Sequence, residues 1–246
     1  MLLFLGPNFL QNALIRLPVI LVALTFHEFA HAWIAYRCGD DTAKRQGRLT
    51  LNPLAHLDPL GTICLFFGLI GWAKPVPIDP FNFRHPRKDE IKVSLAGPAS
   101  NFILAIVSFL ILKIVLSFHA SDAATFFAMS EATRIIIVML FLSVIINFAL
   151  MLFNLLPLFP LDGSHVVQNM LKYPYADRFA EFSRKAPMIL IGIIIADFYF
   201  IPRILGYSIL WKIFRFPSEL LMDNLLSSNS LMALKMVVRD VLGYYI

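Results

Sequence analysis

Leu24-Thr25-Phe26-His27-Glu28-Phe29-Ala30-His31-Ala32-Trp33 reads H-E-x-x-H inside an apolar segment with no Gly or Pro from Val19 to Cys38. On a helix, residues four apart stack one turn above each other, so His27 and His31 share a face. Two imidazoles so placed can hold one Zn²⁺, with Glu28 one step round the helix to take a proton from the attacking water. The chain has six His and five Glu, and composition alone predicts roughly a few thousandths of such a match per chain. The alternative is a pair of core histidines beside a buried acid. In lipid-like surroundings each ionisable group costs about 2.5–3.5 kcal/mol. Three of them in five residues need a common purpose, and a metal supplies it.

The surroundings are lipid-like throughout. Of 246 residues 59% are hydrophobic and 15% charged, 23 are Phe, and the mean hydropathy is +0.73. These values predict an all-α polytopic membrane protein, a helical bundle of about four to six transmembrane segments with a short membrane-associated extended segment. The net charge of +5 then orients loops and implies no nucleic-acid partner. Cys38 and Cys64 match no ligand spacing and read as unpaired thiols. The N-terminus lacks a basic flank and a small-residue cleavage site, so no removable signal peptide is expected, only a short interfacial lead-in.

The first span is expected over Leu10–Tyr36, with Pro18 early enough to be tolerated. Leu60–Trp72 is too short to cross as a helix and reads as re-entrant or tilted. Lys74-Pro75-Val76-Pro77-Ile78-Asp79-Pro80 is excluded from helix by its prolines and reads as extended backbone near the interface. Ile91–Phe118 and Arg134–Leu152 are the next spans, the former carrying Gly97-Pro98-Ala99-Ser100-Asn101, small residues that let helices approach. Pro157 and Pro160 end the third span and predict a loop position for Asp162, before a short amphipathic segment running to Leu171. An apolar segment over 187–216, long for one span and short for two, precedes an amphipathic tail, 217–246. Spans and short loops use up the chain, which predicts one membrane domain over 1–246 with a catalytic core over 10–170.

Lys and Arg orient these spans. The 37–58 loop carries four, 73–92 five and 155–187 four, while 119–133 carries none. Residues 37–92 and 155–187 are therefore expected on the cytosolic side, so His31 and Asp162 face the same side. Catalytic zinc takes three protein ligands and keeps one position open. Candidates beyond the histidine pair are Asp162, His165, His56, His85 and the remaining carboxylates. Asp162 follows a span on the matching side; its competing role is as N-cap of the short helix after it. His165 and His56 read as residues behind the ligands or in loops, and His85, among Arg84, Arg87 and Lys88, as a surface residue.

Three elements in this order make the chain resemble the site-2 protease family of intramembrane zinc metalloproteases, in its compact branch without PDZ or other added domains. They are His27-Glu28-Phe29-Ala30-His31, Gly97-Pro98-Ala99-Ser100-Asn101 and Asn154-Leu155-Leu156-Pro157-Leu158-Phe159-Pro160-Leu161-Asp162-Gly163. Leu155 stands where many members carry Pro. The resemblance implies one catalytic Zn²⁺ held by His27, His31 and Asp162, Glu28 as general base, and Asn101 and Asn154 near the site. It also implies an extended segment around 72–83 and transmembrane proteins as substrates.

The reaction so expected is peptide-bond hydrolysis in or near membrane spans, at the cell membrane, with the site towards the cytosol. Asn154 and Asn101 are candidates for the oxyanion or for holding the substrate strand, and equally for bonding helix to helix. The extended segment could pair with an unwound substrate. One rival is a membrane-anchored zinc protease acting on cytosolic or misfolded chains, which shares the chemistry and differs in where the scissile bond lies. A metal transporter would need polar residues on both halves of several spans, whereas here they cluster towards one side. A catalytically dead scaffold is disfavoured because every required group is present.

Overall fold

In hydrocarbon every backbone N–H and C=O must be satisfied within the segment, so a long apolar run becomes helix. Among the described residues four helices are long and apolar enough to cross a membrane. The computed structural model of the protein describes residues 9–66, 71–119 and 128–242. The expected lead-in before residue 9 and most of the 119–133 loop lie outside these residues, as do residues 67–70 of the Leu60–Trp72 piece.

Helix α1 (Phe9–Cys38) contains Pro18 without breaking, and α2 (Pro59–Phe66) is a short apolar helix. Helix α3 (Pro86–His119) and α4 (Glu131–Asn154), capped by Ser130 accepting from the Thr133 N–H, are the second and third spans. The short α5 (Asp162–Met170) follows. Helix α6 (Tyr175–Ile195) continues through a π-turn at Ala196–Phe200 to Leu205, so the fourth span is Tyr175–Leu205. Helices α7 (Ile209–Leu225) and α8 (Ser228–Leu242) are the last of the described residues.

Two boundaries differ from expectation. The apolar segment over 187–216 is divided at Gly206, whose φ of +80° closes the span. Asp197 inside it is buried and accepts from the N–H groups of Ile209 and Leu210, which caps α7. Asp162 is not on a loop: it is the first residue of α5, after an extended Leu161. The turn before it is tight, for a Cβ on Gly163 would stand 2.3 Å from the Leu155 carbonyl oxygen.

Helices α1, α3 and α4 form the bundle, with α3 at its centre packing most closely against α4 and then against α1. Their shared core includes Ile15, Val19, Phe109, Leu112, Ile137 and Phe141, and α8 adds Leu234, Val237 and Val238. In lipid this packing works through van der Waals fit and interhelical hydrogen bonds rather than water exclusion. Helix α6 stands apart: 6% of its most apolar window is buried inside the chain, against 44% for α4.

Residues 73–79 form an extended strap that makes one antiparallel β-bridge among the described residues, Leu57 to Ala73. Its prolines forbid helix, and buried charges pin both ends. Arg48 Nη2 donates to the Lys74 carbonyl at 2.6 Å, and the Asp79 N–H donates to Asp40 Oδ2 at 2.8 Å. Asp40, fully buried, also accepts from the Thr42 N–H and from Asn82 Nδ2. His56 belongs to this scaffold. Its Nε2 lies 2.8 Å from the Thr50 carbonyl, and its own carbonyl accepts from Lys74. Of the two places expected for it, behind the metal ligands or in a loop, the structure shows the loop.

Candidate metal centre

His27 and His31 stack on one face of α1, and α3 crosses that face at its least bulky point. A Cβ on Gly97 would lie 2.4 Å from His31 Nε2 and 2.5 Å from His27 Cε1. The imidazoles therefore rest on bare backbone. Each ring is fixed from behind by α3: His31 Nδ1 lies 2.7 Å from the Val93 carbonyl, and His27 Nδ1 lies 2.7 Å from Asn101 Oδ1. A backbone carbonyl only accepts, so His31 carries its proton on Nδ1. The Asn101 amide nitrogen donates to the Ala23 carbonyl, which turns its oxygen to His27 and puts that proton on Nδ1 too. Both Nε2 lone pairs are left bare.

They meet at 3.1 Å. Asp162 Oδ2 joins them, 3.3 Å from His27 Nε2 and 3.4 Å from His31 Nε2, brought there by the turn that starts α5. That oxygen is buried yet accepts no hydrogen bond, and Asp162 makes no cap bond, the N-cap residue being Leu161. Three electron-rich atoms facing one another with no proton between them repel unless a cation lies among them. Zinc at about 2.0 Å from each of three tetrahedral ligands would space them about 3.3 Å apart, and 3.1, 3.3 and 3.4 Å are observed. The residues present fit the ion. Among the described residues this is the group of acid and histidine side chains that could hold a metal.

Glu28 is buried next to the pair, and its Oε2 accepts from the Val76 N–H of the strap at 2.9 Å. These groups line a cavity of about 570 Å³ together with Trp72, Asn154 and His165. Asn154 Nδ2 donates to the Leu150 carbonyl of its own helix at 3.0 Å. Its second amide hydrogen is the one available to a ligand. His165 stands one turn after Asp162, with Nδ1 3.3 Å from Glu90 Oε1. Asn101 is corrected. It is fully buried, and its amide is used by His27, Ala23 and Asn147. It orients a histidine and offers nothing to an oxyanion. Asn147, Val93, Val76 and Glu90 went unread in the sequence. For Val93 and Val76 no signal exists, because backbone groups do the work; Asn147, a lone amide in an apolar span, was the visible one.

The profile of Peptidase family M50 matches residues 16–194. Over 168 residues the chain is 42% identical to a Bacillus subtilis (strain 168) protein named "Putative zinc metalloprotease YwhC", covering 67% of this chain and 74% of that one. Over 161 residues it is 34% identical to "Putative zinc metalloprotease Rip2" of Mycobacterium tuberculosis (strain ATCC 35801 / TMC 107 / Erdman), covering 62% of this chain and 55% of the relative. The Mycolicibacterium smegmatis (strain ATCC 700084 / mc(2)155) protein of the same name is 38% identical over 92 residues, 35% of each chain. No solved structure gives a significant match. With most of its length matched by that profile, this all-α polytopic membrane protein belongs to peptidase family M50, the site-2 protease family of zinc metalloendopeptidases.

Proposed function

We propose that His27, His31 and Asp162 hold the catalytic zinc, that Glu28 is the general base, and that the enzyme hydrolyses peptide bonds in or near the membrane spans of other proteins. The observation that carries this reading is the meeting of three ligand atoms, His27 Nε2, His31 Nε2 and Asp162 Oδ2, inside a bundle of membrane-length helices. Depth supports it. His31 is seven residues from the end of α1 and Val93 seven from the start of α3, so both helices place the site about 10 Å in from the same end. The clustering of Lys and Arg in the adjoining loops favours the cytosolic face of a cell membrane.

Bound zinc supplies Lewis-acid polarisation of the scissile carbonyl and a lowered pKa for water. The chain's own residues do the rest. The Val76 N–H holds the Glu28 carboxylate towards the metal position, where it takes a proton from the attacking water and returns it to the leaving amine. Asn154 presents its second amide hydrogen to the substrate carbonyl. Trp72, Pro75 and Pro80 give the cavity apolar walls.

Incubating the purified protein with a panel of single-span membrane proteins, with zinc and with chelator, and mapping the cuts, tests this reading. Zinc-dependent cuts within or next to the apolar segments are expected. Cuts confined to soluble loops would transfer the reading to a membrane-anchored protease of cytosolic chains.

A further inference from the structure

Behind His27 a file of buried polar side chains leads away from the metal position into the apolar bundle. Asn101 Nδ2 donates to Asn147 Oδ1 at 2.8 Å, linking α3 to α4. Asn147 Nδ2 donates to the Ser143 carbonyl at 2.9 Å and reaches Ser143 Oγ at 3.2 Å. Ser143 Oγ in turn lies 2.8 Å from Ser108 Oγ, back on α3. Asn101 and Asn147 are 0% and 1% exposed, so no solvent competes for these bonds.

The file has a direction. The Ser143 carbonyl can only accept, so the Asn147 nitrogen faces it and the Asn147 oxygen faces Asn101. Asn101 must then present its nitrogen to Asn147 and its oxygen to His27 Nδ1, an orientation the Ala23 carbonyl supports at a longer 3.3 Å. An oxygen at Nδ1 demands the proton there and leaves Nε2 bare for a cation. With the Asn101 amide reversed, its NH₂ would face Nδ1, the proton would move to Nε2, and the ligand would be lost.

We propose that Asn147, backed by Ser143 and Ser108, is a positioning residue for metal binding: it locks the Asn101 amide and, through it, His27 in the tautomer that accepts zinc. This rests on the zinc reading above. Partners behind metal-bound histidines typically tune affinity by about 10–100-fold. Because Ala23 gives Asn101 a second anchor, the loss expected on removing Asn147 is at the lower end.

The test is the zinc affinity of the purified full-length protein, measured by chelator competition. Asn147→Leu, which keeps the bulk and removes both amide functions, should weaken zinc about tenfold. Asn101→Leu should weaken it more. The double variant should be no weaker than Asn101→Leu alone, because Asn147 acts only through Asn101. Wild-type affinity in Asn147→Leu, or a double variant weakened by the product of the two single effects, overturns the proposal. Where Asn147→Leu does not fold, Asn147→Ser is read by the same criteria. His27→Ala keeps the two readings apart. If it leaves zinc binding intact, the ligand assignment falls; if it abolishes binding while Asn147→Leu is neutral, only the lock falls.

Discussion

The absent side chain at position 97 matters as much as those beside it. A methyl group there would press into both imidazoles, at 2.4 Å from one and 2.5 Å from the other, and neither ring can retreat while α3 holds it from behind. Gly97→Ala is therefore expected to weaken zinc by at least about tenfold, as loss of ligand support does. Chelator competition checks it, and a variant with native zinc affinity would show that the helices separate at little cost. Base and ligand part company under isosteric substitution. Glu28→Gln should keep zinc, since Glu28 touches none of the three ligand atoms, and lose about 10²–10⁴ in rate, the usual share of proton transfer. Asp162→Asn should lose zinc and rate together, a neutral amide being a poor donor to zinc. Metal content and cleavage rate measured side by side decide; an active Glu28→Gln or a zinc-loaded Asp162→Asn breaks the corresponding assignment.

Among the elements, the strap has the smallest amount of structure and the greatest leverage on the base. Its N–H groups at Lys74, Val76 and Asp79 are all engaged within the chain, and Pro75, Pro77 and Pro80 have none. Strand pairing with a substrate would thus use strap carbonyls, the Ile78 N–H, or the Val76 N–H after it leaves Glu28. Asp40 anchors the far end by receiving donors on both oxygens, and an Asn there offers only one acceptor. Asp40→Asn should cost about 1–3 kcal/mol through the group left unpaired and slow cleavage while zinc stays bound. Burial raises the Asp40 pKa, but bonds from Thr42, Asp79 and Asn82 outweigh it and leave the carboxyl below its usual value. Its contribution is thus complete above the ordinary carboxylate pKa and is lost as pH falls through the lowered, folded value. The stability gap between wild type and Asp40→Asn, followed by thermal unfolding, should hold steady from neutral to mildly acid pH and close only in strong acid; a gap that widens on acidification contradicts this. Prolines made the strap legible as extended chain, but its attachment was not, because Asp40 and Arg48 look like ordinary loop charges until their backbone partners are known.

Across the whole molecule, hydropathy revealed the spans because lipid leaves the backbone no alternative to helix. It failed at 187–216, where a turn at Gly206 rather than a change of composition ends the fourth span, and at Asp162, where Pro and Gly mimic a loop although α5 has begun. The metal site joins distant parts of the chain: Asp162 lies 131 residues beyond His31 (162 − 31). Zinc should therefore stabilise the fold as a bound ligand does, by about 4 kcal/mol at a thousandfold excess over Kd. Chelation should lower the melting temperature of the wild type and leave that of Asp162→Asn unmoved; equal responses in both would detach Asp162 from the metal. The same separation bears on translation. As the chain emerges, α1 and α3 enter the membrane with both histidines and the base already in hand, but the third ligand has yet to be made. Under the proposed ligation the growing polypeptide is chemically inert until α5 leaves the ribosome and docks, so an unfinished copy cannot cut the nascent spans around it.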